Sequence, residues 1–132
     1  MSPILPDRTF LVSYNHRCCI TGTPISALLS ARHIVVWSGR SHAAADPRSS
    51  LCLAKTQDAA FDRHLITLDE DLRVVLSKSI RDHFTSECVR VNFQPYEGKR
   101  IELPHRFAPD AALVKCHRDI FSRPLGRFVA SG

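Results

Sequence analysis

The spacing of apolar positions changes several times along the chain, and each change marks an element. Phe10, Leu11 and Tyr14 follow Asp7 at helical spacing, which predicts a short helix over Asp7–Tyr14 capped by Asp7. Cys18–Gly22 reads as a brief extended piece stopped by Gly22. Pro24 suits a first helical turn and opens a short helix with Ile25, Leu28 and Leu29 on its apolar side. Arg32–Trp37 holds Ile34, Val35 and Val36, a β-branched run that predicts a strand. Small and polar residues from Ser38 to Ala45 make a surface loop, and Asp46-Pro47 marks a turn. Leu51–Leu53 is too short to be decided by period; its place between turn and helix makes it the second strand. Thr56–His64 has no breaker, so it reads as a helix burying Ala59, Ala60 and Phe61. Thr56 is placed to cap it, and Asp58 complements the dipole of its first turn.

The second half reads as hairpins and helices. Leu65–Leu68 and Val74–Leu76 flank Asp69-Glu70-Asp71, a hairpin with an acidic tip. That tip lacks the alternate spacing and the glycine of a calcium loop, so it reads as a solvated turn. Ser77–Phe84 reads as a short helix. Val89–Phe93 and Lys99–Leu103 flank Pro95–Gly98 and predict a second hairpin. Pro109 starts a last helix to about Phe121, with Ala112, Leu113, Cys116 and Ile120 lining one face. The pattern is α+β, organised around a strand–loop–strand–helix stretch from Ala31 to Asp62.

Composition narrows the class. The chain has 132 residues, 44% hydrophobic and 23% charged, which fits one soluble domain over 1–132 with a real core. No apolar run approaches the roughly 20 residues of a membrane span. The opening residues lack the basic-then-apolar layout of a secretory signal, so a cytoplasmic protein is expected. A net charge of +5 suits a polyanionic partner, although the charge is spread along the chain. The five cysteines include no C-x-x-C pair, which argues against a disulfide framework and a four-cysteine zinc knuckle. Cys19 and Cys52 sit in apolar stretches and read as small core residues packed together.

The central stretch also offers chemistry. His33 begins the first strand, and Asp58 lies in the first turn of the helix that follows the second strand. Hydrolysis of a phosphodiester needs an activated water and a group that holds charge on the phosphate. A neutral imidazole takes the proton, and a divalent cation supplies the Lewis acid. His33 is the candidate base and Asp58 the candidate metal ligand. Asp62, one turn later, shares the helix face of Asp58. The hard oxygen donor favours Mg²⁺, with Mn²⁺, Ni²⁺ or Zn²⁺ as substitutes.

Four blocks then carry a resemblance. They are Cys19-Ile20-Thr21-Gly22, Arg32-His33-Ile34-Val35-Val36-Trp37, Asp46-Pro47-Arg48-Ser49-Ser50-Leu51-Cys52-Leu53 and Asp58-Ala59-Ala60-Phe61-Asp62-Arg63-His64-Leu65-Ile66. In this order they resemble the HNH endonucleases, in the branch found in bacterial restriction endonucleases. Tyr96-Glu97-Gly98, Ile101, Leu103-Pro104 and a last helix with His117-Arg118 and Phe121 extend the likeness over nearly the whole chain.

The resemblance implies a ββα-metal core over about 31–64, with an added β-hairpin and a C-terminal helix. It implies DNA as substrate, His33 as general base, a middle residue that orients the base, and Asp58 as metal ligand. Ser49 stands where the family has its middle asparagine, and Ser50 where it has glycine. Gln57 lies where some members have histidine. Arg32 precedes His33 where the family places a small polar or acidic residue; it cannot ligate a metal and suits a phosphate instead. Arg40, Arg48, Lys55 and Arg63 flank the expected cleft as phosphate contacts. Sequence preference would then come from a homodimer or a partner protein. The alternative on the same fold is a catalytically impaired module that binds nucleic acid or a protein.

Overall fold

The computed structural model describes residues 12–34, 47–106 and 108–123. Among the described residues, two short antiparallel pairs of strands and four complete α-helices make a small mixed α/β fold. Strand β1 is Leu29–His33, β2 is Ser50–Ala54, and helix α1 is Lys55–Asp62. Strands β3 (Ile66–Leu68) and β4 (Val74–Leu76) follow, then α2 (Lys78–Asp82), α3 (Glu87–Phe93) and α4 (Ala111–Phe121). β1 pairs with β2 from Leu29 opposite Ala54 to His33 opposite Ser50, and β3 pairs with β4.

The core lies where these pieces meet. All five residues of β2 are buried, as are Ala60 and Phe61 of α1 and Ile66 and Leu68 of β3. A strand covered on both faces loses polar-apolar alternation, which is why period alone could not decide Leu51–Leu53. Helix α1 packs on both strands of the first pair, and α4 packs on β3. Cys19 and Cys52 are buried free thiols, and Cys19 N–H donates to the Cys52 carbonyl at 2.9 Å. Burial pushes the Cys52 thiol up to about 12 and holds the Cys19 thiol well above its usual range, so both stay protonated.

Several elements differ from the sequence expectation. Cys18–Gly22 is a turn rather than an extended piece. Cys18 Sγ accepts from the N–H groups of Ile20 and Thr21, and Gly22 closes the turn at φ +77°. After Pro24 only a single 3-10 turn forms, Ser26–Leu28, because Leu29 is drawn into β1 by its pairing with Ala54. β1 therefore begins earlier than Arg32 and ends at His33. Val35–Trp37 and the loop bearing Arg40 lie outside the described residues, as does most of the helix expected over Asp7–Tyr14. Helix α1 has Ala54 at its N-cap with no side-chain cap, so Thr56 does not serve there.

The expected second hairpin is absent. Val89–Phe93 lies in α3, whose cap Ser86 accepts from Val89 N–H with Glu87 in the first turn. A cap and an acidic first turn outweigh the β-branched residues. Lys99–Ile101 instead runs beside the start of β4, with Val74 N–H donating to Lys99 and Ile101 N–H donating to Leu72. In α4, Val114 and His117 are the buried residues, and the predicted Ala112 position is exposed. The helix turns this face inward because His117 finds hydrogen-bond partners under it. No helix of the described residues is long and apolar enough to cross a membrane.

Candidate active site

The end of the first strand pair meets the C-terminal half of α1. His33 is exposed and lies opposite Ser50 in the register. Ser50 is fully buried, and its hydroxyl lies 3.0 Å from His33 Nδ1. With Nδ1–H donated to that oxygen, Nε2 carries the lone pair that a general base needs. The expected orienting residue was Ser49. The contact with the imidazole is made one residue on, by Ser50. Ser49 closes a 3-10 turn, Pro47–Ser49, and its carbonyl accepts from Ile34 N–H at 2.8 Å, next to His33. Sequence reasoning could have found Ser50 only by knowing the register of the pair.

His33 also lines a cavity of about 280 Å³ with Ile34, Phe61, Asp62, His64, His117 and Ile120. His117 is held on every side. It stacks on Phe61 at 3.7 Å between ring centroids and on His64 at 4.2 Å. Its Nε2 lies 2.7 Å from the Phe61 carbonyl, and its Nδ1 lies 2.8 Å from Thr67 Oγ1. A carbonyl only accepts, so Nε2 carries the hydrogen and Nδ1 of the neutral ring accepts from the Thr67 hydroxyl. Burial lowers the His117 pKa to about 4, and burial also lowers that of His64. His117 thus belongs to the wall of the cavity as a neutral ring. His64 follows α1 at φ +60°, in the left-handed region that non-glycine residues seldom adopt.

The two candidate metal ligands are both engaged. Arg32 Nε donates to Asp58 Oδ1 at 2.5 Å, and Arg32 Nη1 donates to Asp62 Oδ1 at 3.2 Å. The guanidinium spans two carboxylates one helical turn apart. The hydrogen bond to Asp58 raises the Arg32 pKa further, so the charge is permanent. Asp58 is the more enclosed partner, its side chain 13% exposed against 45% for Asp62. Gln57 is buried and donates Nε2–H to the Asn92 carbonyl at 3.0 Å, away from this pair. Among the described residues no group of three or more His, Cys, Asp or Glu is placed to hold a metal ion. The oxygen donors suit a hard divalent cation in kind, but with the guanidinium across them the residues present do not fit one.

The basic residues are placed unevenly. Lys55 Nζ donates to Ser30 Oγ at 2.8 Å, tying the start of α1 to β1. Arg63 is exposed just past α1, and Arg48 is exposed in the turn before β2, where its carbonyl accepts from Asp110 N–H. Arg32, expected at a phosphate, lies on the two carboxylates. A second cavity beside the first is lined by Arg63, His64, Lys78 and Phe121 among others.

Residues 18–69 match the model of a family described as HNH endonuclease. The fold is similar to that of a solved structure, the modification dependent TagI restriction endonuclease, with a TM-score of 0.56 and 18% sequence identity. The alignment covers 90% of this chain and 38% of that one, so the chain spans well under half of that protein's length. No curated protein matches the chain. The matched segment holds β1, β2, α1 and β3, with His33, Ser50, Asp58 and Asp62 among its residues, and it is this part of the chain that is similar to the HNH endonucleases.

Proposed function

We propose that this chain is a DNA endonuclease of the HNH type in which His33 takes the proton from the attacking water. The observation that carries this reading is the His33–Ser50 contact at the exposed end of the strand pair, on the rim of a cavity that Asp62 also lines. An imidazole held through Nδ1 and open to solvent on its other side is suited to general-base work on a phosphodiester. Asp58 and Asp62 would be the carboxylates to hold a divalent cation, Mg²⁺ first, only with Arg32 withdrawn from both, and in the free chain it is not withdrawn. Arg48, Lys55 and Arg63 supply phosphate contacts, and a second copy or a partner protein supplies target selection.

The test is plasmid nicking with Mg²⁺, Mn²⁺ or Ni²⁺, comparing the parent with His33→Ala and Asp58→Ala. Cleavage by the parent and a loss of at least roughly a hundredfold in His33→Ala is the expected result. A second reading is favoured by the Arg32 ion pairs: an HNH-fold module that binds DNA or a protein without cutting. It predicts that no divalent ion supports cleavage while DNA binding persists with a steep salt dependence.

A further inference from the structure

The resemblance to the HNH endonucleases implies a metal cation at Asp58 of α1, and the structure places a different cation there. Arg32 reaches Asp58 with Nε and Asp62 with Nη1, so two nitrogens of one rigid guanidinium hold two carboxylates at once. The carboxylates sit four residues apart on α1, which brings them to the same side of the helix. Arg32 arrives from β1, where pairing with Leu51 fixes its position on the strand. Both partners are therefore carried by packed elements, because α1 lies against β1 and β2. An arginine does not lose its charge at any ordinary pH. A divalent ion approaching the same oxygens meets both that charge and the atoms that bear it.

We propose that Arg32 is a resident cation that occupies the Asp58–Asp62 pair and closes it to divalent metal ions. The proposal rests on the reading of this strand pair and helix as an HNH site, and it concerns the free chain, before any DNA is bound. In the folded protein as it stands, the carboxylates do not take up Mg²⁺ or Mn²⁺ at millimolar concentration. Withdrawing the guanidinium opens them.

The test is titration of the metal alone, read by calorimetry with Mn²⁺, on the parent, Arg32→Gln, Arg32→Met and Arg32→Gln with Asp58→Asn. The parent is expected to show no binding below millimolar. Each single variant is expected to bind at least tenfold more tightly, and Asp58→Asn is expected to abolish the gain. Thermal melts identify a variant that fails to fold; Arg32→Met keeps the apolar stem and serves beside Arg32→Gln. On the parent, the Arg32 Nε resonance is followed by NMR through a Mg²⁺ titration and should not move. A saturable shift of that resonance, submillimolar Mn²⁺ binding by the parent that depends on Asp58, or folded variants that bind no more tightly each overturn the proposal. Nicking assays on the same samples report on the function separately. Variants that bind Mn²⁺ without cutting uphold the Arg32 proposal and count against the endonuclease reading.

Discussion

Ser50 faces His33 across the first strand pair, and its hydroxyl lies 3.0 Å from the imidazole Nδ1. This contact holds the ring by Nδ1 and turns Nε2 outward. Ser50→Ala removes it without opening a large cavity. We expect the ring of His33 to lose its fixed orientation, seen as changed nitrogen-15 shifts, and nicking to fall roughly tenfold with DNA affinity unchanged. An unchanged ring spectrum would sink the positioning role.

His117 ties α4 to the end of α1 and to β3 through two hydrogen bonds and two ring contacts. His117→Leu keeps the volume but leaves the Phe61 carbonyl and the Thr67 hydroxyl without this partner. Each buried orphan costs about 1–3 kcal/mol, so a loss of roughly 2–4 kcal/mol is expected in urea unfolding. A loss below about 1 kcal/mol would show that the network is not what docks the helix.

The same residue gives stability a pH dependence. Burial lowers the His117 pKa to about 4, while an unfolded histidine titrates near about 6.5. Between these values the unfolded chain binds a proton that the native one does not, so stability rises with pH. The contribution is whole above about 6.5 and is lost as pH falls towards about 4, by up to roughly 3 kcal/mol. His64, also lowered by burial, adds in the same direction. Denaturation curves at pH 7, 6, 5 and 4 on the parent and on His117→Leu test this. Parallel curves for the two would refute it.

Lys55 and Arg63 lie at opposite ends of α1, both exposed. As phosphate contacts each should reduce DNA affinity when changed to alanine, with no dependence on base sequence. The slope of log affinity against log salt should fall by about 1 for each. Fluorescence anisotropy across a salt series measures this. Slopes equal to the parent's would place the phosphate backbone elsewhere on the surface.

Local chemistry decided much of what could be read in the chain. β3, β4 and the acidic turn between them follow from two apolar runs around Asp69-Glu70-Asp71, and Asp69 Oδ1 accepts from the N–H groups of Asp71 and Arg73 within that turn. Helix α2 follows from Ser77, which caps it by accepting from Ile80 N–H. Val89–Phe93 misled because β-branched residues suggest a strand, whereas the helix was decided by Ser86 just upstream. The inward face of α4 was hidden for another reason: a histidine is ordinarily polar surface, and only the carbonyl of Phe61 and the hydroxyl of Thr67 make His117 a core residue.

The sequence by itself determined that a strand carries His33 and a following helix carries Asp58 and Asp62, because ordered blocks of short-range signals specify those elements and their succession; it took His33 for the start of the strand, of which it is the last residue. The same ordered blocks carry the likeness to the HNH endonucleases, which the family model finds over residues 18–69. Only the tertiary structure decided which groups touch. Register put Ser50 rather than Ser49 against the imidazole, since a shift of one residue turns a side chain to the other face of a strand. Packing of α1 on β1 brought Arg32, 26 residues away in the chain, onto both carboxylates. A sequence records that a cation and two anions are present. Distances between them, and hence which charge neutralises which, exist only once the chain has folded.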